Sequence, residues 1–275
     1  MKNSENISNK KKHAEPEKRR KGVLIILGEF RTAILTIILV LGVFSTIAFL
    51  FKDFVFNELL FAPGQPSFWT NRTLCELSHK YLSSDILCLN QHPLTFSNLE
   101  LAGQFNAHIF ASFLLGLMVS FPVIIVLLWR VIKQFFSDRI KGKGNVILFF
   151  VSILFSIGVL FGYFIIMPLT LDFLGGYSIS NEVTNNITFA SYMSVFSSVT
   201  LASGFVFELP IIIIFLSKVG LVNRSKLRKF RKVALVIFLT ISAIITPPDL
   251  FSQILVALPL LLLYELSILL AQKER

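Results

Sequence analysis

The residues best placed to do chemistry are acids in apolar surroundings. Glu208 is the clearest, standing inside residues 202–216, ASGFVFELPIIIIFL. The first charge on its C-terminal side is Lys218, ten residues on. Along a helix that is about 15 Å, the middle of a roughly 30 Å hydrocarbon core. A charge at that depth costs ~3 kcal/mol or more, so such acids usually face a bundle interior or a wet cavity. Ser197, Thr200 and Gly204 precede Glu208 by eleven, eight and four positions and share its helix face. Pro210 removes the backbone bond to the carbonyl of Val206 and predicts a kink. Acid, stripe and kink together predict a recessed polar site within a membrane. The alternative is a neutral carboxyl hydrogen-bonded to a neighbouring helix for packing alone.

Two further groups stand out. Glu29 and Arg31 open the first apolar run, within Leu27-Gly28-Glu29-Phe30-Arg31. An acid there favours the helix dipole by ~0.5 kcal/mol, and a functional role at the cytoplasmic interface is the equal alternative. Cys75 and Cys88 are the two cysteines and enclose twelve residues of a polar stretch. In an oxidising compartment they are expected to pair, with about 3 kcal/mol from loop closure. No His/Cys cluster has metal-ligand spacing, so no metal or cofactor is expected. P-loop, GxSxG and HExxH signatures are absent, and nothing suggests an enzyme.

The elements that hold these residues follow from hydropathy. The 275 residues are 54% hydrophobic, 15% charged and include 29 Phe, with mean hydropathy +0.74. That describes a multispanning membrane protein. Spans are expected at about 30–51, 105–132, 146–169, 189–216, 233–245 and 251–270. The last two are short, and Thr246-Pro247-Pro248-Asp249 forms the turn between them. The second contains Pro122, and the third carries Gly158 and Gly162, a close-packing pair. Residues 54–61, FVFNELLF, are amphipathic enough to lie along the membrane surface.

Net charge is +10, but it is unevenly spread, which argues against nucleic acid as the partner. Of the 26 Lys and Arg, only Lys52, Arg72 and Lys80 lie outside the N-terminal stretch to residue 31, residues 130–145, residues 218–232 and the C-terminus. The positive-inside rule then places both termini in the cytoplasm, with six spans and an exported loop at 52–103. Residues 1–22 read as a disordered basic tail and 23–272 as one membrane domain.

With that frame, several motifs fall in order. Phe121-Pro122-Val123 with Trp129, Gly162-Tyr163-Phe164 with Pro168-Leu169, Phe205-Val206-Phe207-Glu208-Leu209-Pro210, Leu227-Arg228-Lys229 and Thr246-Pro247-Pro248-Asp249-Leu250-Phe251-Ser252-Gln253 each have a counterpart in one family. From about residue 27 to 270 the chain resembles the TatC family, the core subunit of the twin-arginine protein translocase. The cysteine-bearing loop suggests a Bacteroidetes-like member. Two departures matter. The family's leading His is Ile26 here, and a second acid expected in the first cytoplasmic loop is Ile140, with Asp138 two residues away.

The resemblance implies an all-α, concave bundle of six spans in the bacterial cytoplasmic (inner) membrane, with a short fifth and sixth. It implies recognition of twin-arginine signal peptides on folded cargo, here by Glu29, Arg31 and Asp138. It also implies recruitment of TatA-type single-span subunits, and TatB where present, with Glu208, Pro210, Ser197 and Thr200 as the docking site. Transport draws on the proton gradient, no cofactor is involved, and the receptor is a homo-oligomer surrounded by lipid. The competing reading is a small-molecule or ion transporter using Glu208 as its proton or cation site. Internal repeats and paired broken helices, which that reading favours, are not apparent.

Overall fold

Backbone polar groups in lipid must bond within the protein, so apolar runs of this length fold as helices. The computed structural model describes residues 28–83, 88–91, 95–133, 144–177, 180, 186–245 and 250–271. We label its helices α1 (Gly28–Leu50), α2 (Trp69–Leu82), α3 (Gly103–Ile132), α4 (Gly144–Gly176), α5 (Phe189–Phe207), α6 (Leu209–Val219), α7 (Arg224–Lys229), α8 (Arg231–Ile245) and α9 (Leu250–Leu270). Among the described residues there is no β-strand, only an isolated bridge between Ser97 and Thr188. Among the described residues five stretches are long and apolar enough to cross a membrane: α1, α3, α4, α5 with α6, and Gln253–Leu270 of α9. The 15 residues of α8 span about 22 Å, shorter than a hydrocarbon core. The expected basic tail at 1–22 lies outside the described residues, as does the turn formed by Pro247, Pro248 and Asp249.

Two of the expected spans take a different form. The fourth is two helices, because Glu208 ends α5 and Pro210 opens α6. The third continues past residue 169 to Gly176, with a π-helical turn at Gly162–Ile166. That turn precedes Pro168, whose missing N–H leaves the Phe164 carbonyl without its usual helical donor. The Thr70 hydroxyl of α2 donates to that carbonyl.

The stretch expected to lie on the membrane surface packs one side against the bundle and leaves Phe54, Asn57 and Glu58 exposed. Phe54–Leu60 forms a π-helical turn with Val55 and Leu60 buried, followed by a short 3-10 turn at Ala62–Gly64. Pro63 has no N–H to offer the Leu59 carbonyl four residues back, and the Tyr163 hydroxyl donates to it at 2.8 Å. The Tyr192 hydroxyl donates to the Leu60 carbonyl. Asn71 is fully buried, and its Nδ2 donates to the carbonyls of Pro63 at 3.1 Å and Gln65 at 2.7 Å. Asn90 Nδ2 donates to the Pro168 carbonyl at 3.0 Å, and its backbone N–H donates to Asp172 Oδ1 at 2.7 Å. Phenols and amides thus weld this cap to the ends of α4 and α5.

The core lies where α3, α4 and α5 meet, around Leu114, Phe155, Ile166, Met167, Tyr192, Phe196 and Val199. Phe121 of α3 stacks on Phe155 of α4, with ring centroids 3.6 Å apart. By contrast, α1 is little buried and exposes Leu35, Ile38, Leu39 and Leu50. It touches α3 where Gly116 admits the backbone of Ser45 and where Phe49 stacks on His108 at 4.0 Å. Only α8 is short, because the 21-residue α9 is long enough to cross a membrane where a short sixth span was expected; the two pair through Arg231 Nη2 and Glu265 Oε2 at 2.6 Å and through Gln253 Nε2 and the Leu239 carbonyl at 3.0 Å.

Close approach of α4 and α5 depends on Gly158. A Cβ there would stand 2.6 Å from the Ser203 carbonyl oxygen and 2.9 Å from the Gly204 Cα, both backbone atoms that cannot swing aside. Gly176, at the end of α4, has nothing within 4 Å of such a Cβ. Gly158→Leu should therefore lose about 1–3 kcal/mol through overpacking and melt earlier in detergent. Gly176→Ala should melt close to the parent. Equal melting of Gly158→Leu and the parent would show that α4 and α5 do not meet here.

Candidate functional site

Glu29 sits in the first turn of α1, exposed. Across from it runs the C-terminal end of α3, whose long apolar helix delivers Arg130 to its last turn. Between the two helices is a groove of about 460 Å³ lined by Gly28, Glu29, Thr32, Ala33, Leu127 and Arg130, among others. Lys133 and Val131 also line it. The groove thus offers one carboxylate, two cations and an apolar floor from Ala33, Leu127 and Val131. Thr32 and Thr36 keep their hydroxyls on the carbonyls one turn back, at 2.9 and 2.8 Å. Arg31 is exposed and is not among the residues that line the groove. Asp138 lies outside the described residues.

Glu208 is buried at the junction of α5 and α6. Its backbone N–H bonds the carbonyls of Phe205 and Val206, the latter left without a helical donor by Pro210. Its carboxyl group meets the backbone of Phe155 on α4, while Oε1 is buried without a hydrogen-bond partner. Such an orphaned oxygen costs on the order of 1–3 kcal/mol until something donates to it. The stripe before it is packed rather than wet. Gly204 faces Phe155 and Val159 of α4, which a Cβ would approach to 2.8 and 2.9 Å. The buried Thr200 hydroxyl donates to the Phe196 carbonyl at 2.6 Å and that of Ser197 to Ser194 at 3.0 Å. Glu208 therefore keeps its predicted burial, but Ser197 and Thr200 spend their hydroxyls on their own helix and leave Glu208 Oε1 without a donor.

Cys75 of α2 and Cys88 are joined by a disulfide. His79, one helical turn beyond Cys75, brings Nε2 to 3.7 Å from Cys88 Sγ. Spacing in the sequence does not single out His79, because Cys88 reaches it from outside the helix. A second feature missed from sequence is a cavity of about 730 Å³ at the cap end of α1 and α3, lined by Lys52, Asp53, Phe56, Phe96, His108 and Phe189 among others. Arg130 and Lys133 were legible as positive charges, but not as neighbours of Glu29.

Comparison with known proteins completes the picture. The model of the family described as "Sec-independent protein translocase protein (TatC)" matches residues 25–259. A protein of that name from Blattabacterium sp. subsp. Periplaneta americana (strain BPLAN) is 36% identical over 218 residues, 79% of this chain and 82% of its own. Another from Desulforapulum autotrophicum is 31% identical over 243 residues, 88% of this chain and 81% of its own. A crystal structure described as the twin arginine translocase receptor TatC, in DDM, superposes with TM-score 0.65 at 31% identity, covering 90% of this chain and 99% of its own. A second crystal structure of the twin arginine translocase receptor TatC gives TM-score 0.59 at 30% identity, covering 89% and 97%. With its membrane-length helices, its broken helix at Glu208 and a family match over most of its length, the chain belongs to the TatC family of Sec-independent protein translocase proteins.

Proposed function

We propose that this chain is the signal-peptide receptor of a twin-arginine translocase in a bacterial cytoplasmic membrane. In this reading α8 completes a sixth span, both termini are cytoplasmic, and the cap with Cys75 and Cys88 faces the other side. The basic loops at 130–145 and 218–232 support that orientation. The observation that carries the reading is the groove between α1 and α3, where the Glu29 carboxylate stands beside an apolar floor. A guanidinium seeks a carboxylate fork, and the hydrophobic segment that follows it needs an apolar surface. Arg130 and Lys133 on the facing wall repel an arriving guanidinium and direct it to the Glu29 side. Asp138 takes the place of the loop acid that Ile140 lacks, and Arg31 acts at the rim of the same site.

Receptor function further requires single-span partners of the TatA type, with TatB where one exists, a homo-oligomeric receptor, and the proton gradient as the energy source. Glu208 is the docking point for such a partner. A span arriving beside α5 and α6 can supply the donor that Glu208 Oε1 lacks, and lipid cannot. Pro210 frees the backbone at that level, while Ser197 and Thr200 keep the preceding turns packed. Pro247, Pro248 and Asp249 set the turn that holds α8 and α9 together. A proton-coupled small-molecule transporter using Glu208 is not favoured, because the family to which the chain belongs is a protein translocase.

Two experiments test this reading. Crosslinking of a twin-arginine signal peptide to purified receptor, with a twin-lysine peptide as control, should weaken in Glu29→Ala by about 1–3 kcal/mol, a five- to 150-fold loss. Asp138→Ala added to it should deepen the loss. Parent-level crosslinking in the double variant would remove both acids from the site. The second experiment reads site-specific crosslinks from α5 to the small subunit beside export of a twin-arginine reporter. Glu208→Gln keeps shape and hydrogen bonding and should retain most docking and export. Glu208→Ala should lose docking while signal-peptide binding stays near the parent. Undiminished docking in Glu208→Ala would leave Glu208 a packing residue.

A further inference from the structure

We propose that Cys75, His79 and Cys88 form a redox-gated zinc site: a disulfide when oxidised, a thiolate–imidazole chelate when reduced. The two sulfurs and one imidazole nitrogen lie within 4.8 Å of one another. Cys75 and His79 are four residues apart on α2, so a rigid 14-residue helix presents both on one face. Cys88 is carried in by the segment that Asn90 pins to α4 through Pro168 and Asp172. All three ligands are therefore placed by anchored backbone.

The geometry fits a tetrahedral ion. Zn–S bonds of about 2.3 Å and a Zn–N bond of about 2.0–2.1 Å put neighbouring S and N ligands roughly 3.6 Å apart. His79 Nε2 already stands 3.7 Å from Cys88 Sγ. Once the disulfide is cleaved, the two sulfurs need to part only to roughly 3.8 Å to share the same ion. Cys75 and Cys88 are half-buried and His79 is exposed, so the fourth position is open to water. Two thiolates and one imidazole are a donor set for Zn²⁺ rather than for hard cations such as Mg²⁺ or Ca²⁺.

The chemistry balances with a dithiol as reductant. One thiolate of the dithiol attacks a sulfur of the Cys75–Cys88 bond, and its second thiolate resolves the mixed disulfide. The dithiol leaves as its own disulfide, and two electrons and two protons remain on Cys75 and Cys88. Zn²⁺ then displaces both thiol protons to solvent, so binding strengthens as pH rises through the thiol range. Metal binding in turn holds the pair in the dithiol form.

The test uses the full chain in detergent, once oxidised and once reduced with excess dithiol that is then removed without air. Each sample is titrated with Zn²⁺ against a chromophoric chelator, and with Co²⁺ to read the thiolate-to-cobalt charge-transfer band. The reduced chain should take one equivalent and show the band, and the oxidised chain should do neither. His79→Gln, at an exposed position that leaves the cap intact, should weaken Zn²⁺ binding at least tenfold in the reduced state. Equal binding by oxidised and reduced chains overturns the proposal, and so does a loss smaller than tenfold in His79→Gln.

Discussion

A carbonyl oxygen that loses its helical donor inside a bilayer has no water to turn to. Proline removes such donors repeatedly in this chain, in the spans and in the cap alike, and other groups of the protein supply the replacements. Pro63 strips Leu59, and Tyr163 supplies the missing donor. Pro168 strips Phe164, and Thr70 supplies it. Pro210 strips Val206, and the backbone of Glu208 folds back to serve it. The first two answers come from distant elements, so satisfying the backbone there also fixes how the elements sit, whereas Val206 is answered within its own helix end. The cap is held on α4 and α5 by the tyrosine and Thr70 donors, by Asn90, and by an aromatic cluster in which Phe56 and Phe61 meet Phe189 and Phe68 meets Tyr163 and Phe164.

The same economy explains the two candidate sites. Between α4 and α5 the glycines Gly158, Gly162 and Gly204 let backbones touch, which buries the face that carries Thr200 and Ser203. Glu208 follows that tight stretch, where the helix has already broken, and its carboxyl is the one group of the stripe that its own helix does not satisfy. On α1 the packing is the reverse. Few of its residues are covered, so a groove remains beside α3, and Glu29 stands at the end of it with charged neighbours from α3. One site is made by packing that is too close to leave room, the other by packing that is left open.

Much of this was legible in the sequence because lipid imposes long unbroken apolar runs. Apart from α4, which runs on to Gly176, the membrane-length helices lie within a few residues of where hydropathy placed them, and Glu208 is buried. The break at Pro210 followed from proline chemistry alone. What the sequence could not convey is which distant group answers each orphan. Phe54–Leu60 looked like a surface-lying amphipathic segment because its buried side is created by Tyr163 and Tyr192, more than a hundred residues on. The stripe at Ser197 and Thr200 looked wet because nothing local says that glycine-bearing α4 covers it. His79 went unnoticed for a similar reason, since its partner Cys88 approaches from beyond the end of α2.

The tyrosine that closes the cap also sets a clock. Tyr192 and the Leu60 carbonyl it serves are 132 residues apart in the chain. A ribosome adding about 5–20 residues per second needs roughly 7–26 s to travel that distance. Tyr163 reaches the Leu59 carbonyl first, but until Tyr192 emerges the turn at Phe54–Leu60 lacks the donor for Leu60 and the aromatic surface of α5. The Leu60 carbonyl must wait in the hydrated headgroup layer, and the disulfide partners 75 and 88 are both made before the platform beneath them exists. The cap is therefore early in synthesis and late in assembly, and its maturation is timed by the arrival of α5.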